Sequence, residues 1–347
     1  MELLRRALEI AAKEHQGQTD KNGDPYLLHP LRVMFSLSTE PERIGGLLHD
    51  VVEDTTITLE DLRKDGFSKT VLAALELVTK KTSEEDYQAF IDRALTNPLA
   101  ARIKLADLID NMNPERLQRL SPEKRDRLLM KYQPAAQRIR DYYQKMEEGD
   151  SLGNQEPYIH DLMRKALSVA VRAHAGQNRK GTDIPYIVHP VEVALILQQE
   201  GGTDEMVAAG FLHDVLEDGS LPRERIVKTC GEKVAQLVVG ASEELDNRED
   251  TPWEVRKQHT IHQLKHAGKE VQLISCADKL SNARSMVQDH RILGDRLWER
   301  FNRGFEQQKG YYTQLADSFN LIRDTECYQE FAELVKELFC CRETQRT

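Results

Sequence analysis

Several large protein classes are excluded by what this chain has little of. No apolar run approaches the roughly 20 residues needed to cross a bilayer, so no membrane partner is expected. With 19 glycines and 12 prolines in 347 residues, the chain is poor in the turn residues of a many-stranded sandwich or barrel. The five cysteines, Cys230, Cys276, Cys327, Cys340 and Cys341, are odd in number, form no CxxC pair and all lie in the second half. That excludes a disulfide framework and a thiolate zinc site. Basic charge is also short: the net charge is −10 and no dense Lys/Arg block occurs. Nucleic-acid binders usually show a basic face, so no nucleic-acid partner is expected. The start, Met1-Glu2-Leu3-Leu4-Arg5-Arg6, runs straight into an amphipathic helix and does not read as a secretory signal. The expected location is the cytoplasm.

What is present is a soluble composition, 39% hydrophobic and 31% charged, with apolar material for two cores. The same phrase is written twice. His29-Pro30, Leu48-His49-Asp50-Val51 with Glu53-Asp54, and Ala106-Asp107 with Asn111 return as His189-Pro190, Leu212-His213-Asp214-Val215 with Glu217-Asp218, and Ala277-Asp278 with Asn282. The offset is 159 at His15/His174, 160 at His29/His189, 164 at His49/His213 and 171 at Asp107/Asp278, the drift that small loop insertions would leave. Pro25-Tyr26 and Pro185-Tyr186 repeat as well. Two units of this length are two domains rather than a solenoid, expected at 1–148 and 158–347. The joint is the polar stretch Glu147 to Pro157, and the second domain carries a C-terminal helical extension.

The periodicity is helical almost throughout, and the expected fold class is all-α. Leu4, Ala7, Leu8 and Ala11 form one stripe; Leu162, Ala166, Val169, Ala170 and Ala173 form its counterpart. Gln18–Asp24 and Asn178–Asp183 read as turns. Thr58 with Asp61 marks a helix start, as does Pro222. Val271–Ile274 reads as buried helix, Pro134–Met146 as a helix before the joint, and Tyr328–Cys341 as a last amphipathic helix.

Each phrase supplies two histidines and two aspartates, a donor set for a divalent ion. Gly45–Thr55 reads as one helix with His49/Glu53 and Asp50/Asp54 four apart; His29 and Asp107 must come from other helices, which suits an ion in a bundle core. Two carboxylates about 4 Å apart repel by about 4 kcal/mol at an effective dielectric near 20, and a divalent ion reverses that sign. Two imidazoles with two carboxylates suit Mn, Fe, Co, Ni or Zn better than Ca. Glu53-Asp54 and Glu217-Asp218, one turn beyond, are candidate acid/base groups. His15 and His174 are expected to pack or cap; His259, His262, His266 and His290 have no counterparts and carry no expected role.

The His, His-Asp, Asp order resembles the HD-domain metal phosphohydrolases. Gly176-Gln177-Asn178-Arg179-Lys180, Pro185-Tyr186-Ile187-Val188-His189-Pro190, Val78-Thr79-Lys80 and Lys104-Leu105-Ala106-Asp107 narrow the resemblance to the hydrolase domain of the RelA/SpoT family. That resemblance implies two tandem HD-domain helical bundles, related as an internal repeat, that remove the 3′-pyrophosphate from guanosine tetra- and pentaphosphate, usually with manganese. It implies one ion per domain, held by His29, His49, Asp50 and Asp107 and by His189, His213, Asp214 and Asp278. It makes Glu53-Asp54 and Glu217-Asp218 the pairs that promote attack by water. It puts Asn111, Asn282, Lys21, Arg179 and Lys180 on the nucleotide.

The departures are specific. Asp20 stands where an Arg is usual and Leu108 where a basic residue follows the aspartate, whereas the second copy keeps Arg179-Lys180 and Lys279. The second copy replaces the Thr-Lys phrase by Ala241-Ser242-Glu243 and has Gly219 where Thr is usual. A counterpart of the nucleotide-synthesising domain of long family members is not expected in the helical tail after Asn282. The expected activity is metal-dependent hydrolysis of a pyrophosphorylated nucleotide; the alternative is a nucleotide sensor in which one or both copies bind without turnover.

Overall fold

The computed structural model describes residues 2–80, 82, 84–146, 156–217, 221–243 and 250–340, and among these the structure is helical, with isolated bridges Thr19–Pro25 and Asn178–Pro185. The chain divides into two compact units, Met1–Ile159 and His160–Thr347. Of the expected joint, Glu147 to Pro157, residues 147–155 lie outside the described residues. No described helix is long and apolar enough to cross a membrane.

The first unit runs α1 (Glu2–Glu14), α2 (Leu28–Phe35), α3 (Glu40–Leu48), α4 (Val51–Asp54), α5 (Leu59–Lys64), α6 (Lys69–Val78), α7 (Tyr87–Ala94), α8 (Pro98–Asn111), α9 (Pro114–Leu117) and α10 (Pro122–Met146). The second runs α11 (Asp161–Ala173), α12 (Val188–Gln199), α13 (Asp204–Leu212), α14 (Arg223–Cys230), α15 (Glu232–Ala241), α16 (Trp253–His266), α17 (Lys269–Leu293), a 3-10 segment Gly294–Arg300, α18 (Phe305–Ser318) and α19 (Glu326–Cys340).

Local chemistry accounts for the boundaries. Thr39 with Glu42 and Thr58 with Asp61 form capping boxes at α3 and α5, each satisfying backbone donors the helix leaves open. Asn97 caps α8 ahead of Pro98. All eight residues of α2 are buried, so α2 runs through the core with His29 and Arg32 among its apolar neighbours; α12 has the same place in the second unit. A histidine in the first turn of such a helix is delivered to the interior without a loop.

Close helix approach does the rest. A Cβ on Gly45 would fall 2.1 Å from Ile103 Cδ1, and one on Gly210 would fall 2.6 Å from Leu197 Cδ1 and 3.2 Å from the Ala194 backbone. Glycine there lets α3 lie close against α8, which carries Asp107, and α13 close against α12, which carries His189.

Two helical expectations need correction. Gly45–Thr55 is not one helix: α3 ends at Leu48 and α4 starts at Val51. His49 and Asp50 sit at the break, where His49 Nδ1 bonds the Gly46 carbonyl at 2.9 Å, and the break turns both adjacent side chains toward one point. The helix expected from Pro134 begins at Pro122, leaving Pro134 inside it. That ring is exposed, so the carbonyl that loses its partner can bond water.

Candidate metal centres

In the first unit α2, the α3–α4 junction and α8 bring His29, His49, Asp50 and Asp107 together. His29 Nε2 lies 3.2 Å from Asp107 Oδ1 and 3.5 Å from Asp50 Oδ2; His49 Nε2 lies 3.3 and 3.9 Å from Asp50 and Asp107. In the second unit His189 Nε2 is 3.2 Å from Asp278 and 3.5 Å from Asp214, and His213 Nε2 is 3.0 Å from Asp214 and 3.8 Å from Asp278. Donors about 2.1 Å from a common ion and at right angles to one another stand about 3 Å apart. Both sets have that spacing.

Hydrogen bonding decides whether the donors face an ion or one another. His213 Nδ1 lies 2.8 Å from the Gly210 carbonyl, which only accepts, so Nδ1 carries the proton and Nε2 the lone pair. The Ser281 hydroxyl donates to Glu192 at 2.8 Å, so it accepts from His189 Nδ1 at 2.9 Å. The two Nε2 atoms then face each other at 3.2 Å, with two carboxylates beside them. Lone pairs and anions converge, and a cation is the group that satisfies all four. In the first unit His49 Nδ1 donates to a carbonyl and its buried Nε2 has no hydrogen-bond partner, which fits the same conclusion.

Without an ion, protons take that role. Burial pulls His213 down, but Asp214 outweighs it and the imidazole is pushed up to about 9. Burial together with the Arg179 charge takes His189 down to about 4, so one imidazole of the pair holds the proton. In the first unit burial is overcome by hydrogen bonds to Asp107 and Asp110, and His29 rises to about 9. Burial raises Asp107, yet the Lys104 ammonium holds it well below the usual carboxylate range.

Around the donors, Tyr26 OH donates to Asp50 and Tyr186 OH to Asp214, both at 2.6 Å. Asn111 and Asn282 donate to Asp107 and Asp278 at 2.5 and 2.7 Å. Glu53 accepts from the Lys80 backbone and ammonium. Asp54 is pushed up by burial, then by Asp50 and Glu53. Glu217 accepts from the Glu243 N–H at 2.6 Å; Asp218 lies outside the described residues. Arg179 donates to Asn282 and Lys180 to Asn302. Lys21 lines a cavity of about 370 Å³ over the first set, and Lys180 one of about 240 Å³ over the second. His15 and His174 pack on Tyr26 and Tyr186, with ring centroids 5.0 and 4.8 Å apart.

Four features escaped the sequence reading. The basic residue missing at Leu108 is supplied by Lys104, whose Nζ is 2.7 Å from Asp107 Oδ2; in the second unit Lys279 holds Asp278 at 2.6 Å. Positions 104 and 108 are one turn apart, so either reaches the same carboxylate. Asp110 backs His29 Nδ1 at 2.7 Å and is itself held by Arg32 and Arg116. Glu243, in place of the usual Lys, holds Lys257 and Arg256 at the second cavity. The tyrosines had a signal in the repeated Pro-Tyr pair; the other three had none beyond the departures themselves.

The family model described as HD domain matches residues 166–296. That matched segment runs from within α11 into the 3-10 segment after α17 and is similar to the HD domain. A GTP pyrophosphokinase of Streptomyces coelicolor is 37% identical over 150 residues, covering 39% of this chain and 18% of that protein. A probable guanosine-3′,5′-bis(diphosphate) 3′-pyrophosphohydrolase of Synechocystis is 36% identical over 129 residues, 37% of this chain and 17% of its own length. The chain thus spans under a fifth of the length of these two relatives. A solved structure, a metazoan ortholog of SpoT that hydrolyses ppGpp, is 23% identical, with a TM-score of 0.43 over 53% of this chain and 97% of its own.

Proposed function

We propose that this chain is a cytoplasmic, divalent-metal-dependent phosphohydrolase that removes the 3′-pyrophosphate of guanosine-3′,5′-bis(diphosphate), with both units working as tandem HD domains. The observation that carries this is the convergence, in each unit, of two imidazole Nε2 atoms and two carboxylates. The names of the relatives supply the substrate.

His29, His49, Asp50 and Asp107, and His189, His213, Asp214 and Asp278, hold one ion per unit, best manganese. That ion, when bound, polarises a phosphorus oxygen and lowers the pKa of its water. Tyr26 and Tyr186 keep the middle aspartate turned inward. Glu53-Asp54 and Glu217-Asp218 take the proton of the attacking water and return one to the ribose oxygen as its bond to phosphorus breaks. Arg179, Lys180 and Lys21 neutralise the phosphates, and Asn111 and Asn282 orient the nucleotide beside the donor set.

A second reading is favoured for the first unit alone. Asp20 takes the place of the Arg and lies 3.6 Å from Arg116, so a substrate-facing cation is drawn into an internal ion pair; this unit then binds nucleotide without turnover. The test is to incubate the full chain with Mn²⁺ and the alarmone. Released pyrophosphate supports hydrolysis, and nucleotide bound but intact after hours supports the sensor. Neither binding nor release from this or related nucleotides refutes both.

A further inference from the structure

Resting on the reading that both donor sets bind metal, we propose that the two centres fill differently: the first holds its ion unaided, and the second takes its ion together with a polyphosphate anion. The two sets are alike in their four donors and differ in what stands immediately behind and beside them.

Behind the first histidine is a carboxylate. His29 Nδ1 lies 2.7 Å from Asp110 Oδ2, and an anion there raises the donor strength of Nε2. Behind the second is a hydroxyl: His189 Nδ1 reaches Ser281, and only through it Glu192. Glu192 is 3.2 Å from Arg284, which Glu330 also holds. A neutral relay passes on less negative charge than a direct carboxylate.

Beside the donors the difference has the same sign. In the first unit two guanidiniums, Arg32 and Arg116, face two carboxylates, Asp110 and Asp20, so their charge is answered locally. In the second unit the arginine is Arg179, which donates to the neutral amide oxygen of Asn282 at 2.8 Å and lines the cavity with Lys180, Lys257 and Lys279. Lysines on the ligand aspartates cancel in the comparison, since Lys104 and Lys279 do the same work. Lys257 is answered by Glu243; Arg179 and Lys180, which meet amide oxygens, oppose a bare divalent ion and favour one that arrives with phosphate oxygens. Metal and anion therefore assist each other in the second centre, and coupling of this kind is reciprocal.

The experiment is Mn²⁺ titration of the chelator-stripped full chain, following free Mn²⁺ by its EPR signal, with and without a fixed concentration of inorganic pyrophosphate and with the pyrophosphate–Mn²⁺ complex subtracted. Two steps at least tenfold apart are expected. Asp50→Ala should remove the tighter and Asp214→Ala the weaker. Pyrophosphate should tighten the weaker step only. Asp110→Asn should weaken the tighter step by about 10–100-fold. Arg179→Gln, at the cavity wall and away from the core, should tighten the weaker step without anion and abolish the pyrophosphate effect. Two equal steps, loss of the tighter step in Asp214→Ala, or an equal response of both steps to pyrophosphate overturns the proposal while leaving the metal reading intact. No binding at either set overturns the metal reading and the proposal with it.

Discussion

Replacing Lys104 by Met tests the internal electrostatics of the first centre with two effects of opposite direction. The Lys104 ammonium is buried, 2.7 Å from Asp107 and 4.8 Å above the Phe90 ring. Met keeps the length and packing of the stem and removes only the charge. Without metal, Asp107 would be a buried carboxylate that has lost its nearest cation. Breaking one partner of a buried pair costs about 3–5 kcal/mol. At about 2–4 °C per kcal/mol for a unit of this size, the first unit should melt roughly 6–20 °C lower in calorimetry of chelator-treated protein, with the second unit's transition unmoved. With Mn²⁺ present the ion replaces the missing charge, and most of the loss should disappear. Metal affinity of the first centre should rise, because an ammonium no longer competes for Asp107. A side chain that merely packed would lower stability and affinity together or leave affinity alone. A shift under about 2 °C, or the same shift with and without Mn²⁺, refutes the argument.

Other outcomes follow from the same geometry. Gly210→Ala drives a methyl against Leu197 and the Ala194 backbone; it should cost about 1–3 kcal/mol in chemical denaturation and weaken metal binding by displacing His213. Tyr186→Phe removes the 2.6 Å bond to Asp214 and should lower hydrolysis about tenfold, the size of one lost hydrogen bond to a charged group, with the fold intact by circular dichroism. In metal-free protein the second unit should be most stable near pH 6.5. His213, raised to about 9, contributes stability fully below 6.5 and loses it as pH rises through 9. His189, lowered to about 4, makes the fold weaker as pH falls from 6.5 toward 4. Thermal melts across pH should show that dome, and Mn²⁺ should flatten its alkaline side.

The parts of the molecule legible in its sequence are those where chemistry demands a residue type. Only a few side chains can hold a divalent ion, so His29, His49, Asp50 and Asp107 stood out before any helix was drawn, as did their counterparts. Helices were legible wherever an apolar stripe or a cap marked them, as at Thr58. The break at His49-Asp50 was not, because Val51 continues the buried stripe and the interruption is set by His49 bonding the Gly46 carbonyl three residues back. Pro134 misled for a related reason: proline usually marks a helix start, but on an exposed face water replaces the bond it deletes. Lys104 was quoted within the Lys104-Leu105-Ala106-Asp107 phrase, but its role was hidden, because the carboxylate it holds is three residues away on the same helix.

The Lys104 miss belongs to a pattern. At three points where the two copies diverge, the charge has been retained and the position that carries it has moved. The ammonium on the ligand aspartate comes from three residues before it in α8 and from one residue after it in α17. The guanidinium near the first histidine comes from α9 as Arg116 in one unit and from the turn ahead of α12 as Arg179 in the other. The basic group at the mouth is Lys80 on Glu53 in one, and Lys257 on Glu243 in the other. A position-by-position comparison counts each as a loss. In space each is a substitution of route, and what distinguishes the centres is how many carboxylates answer each cation. Asp20 and Asp110 answer Arg116 and Arg32, while an amide answers Arg179. That difference in neutralisation, rather than any difference among the ligands themselves, is the physical basis on which one donor set can favour the bare ion and the other the ion with its phosphates.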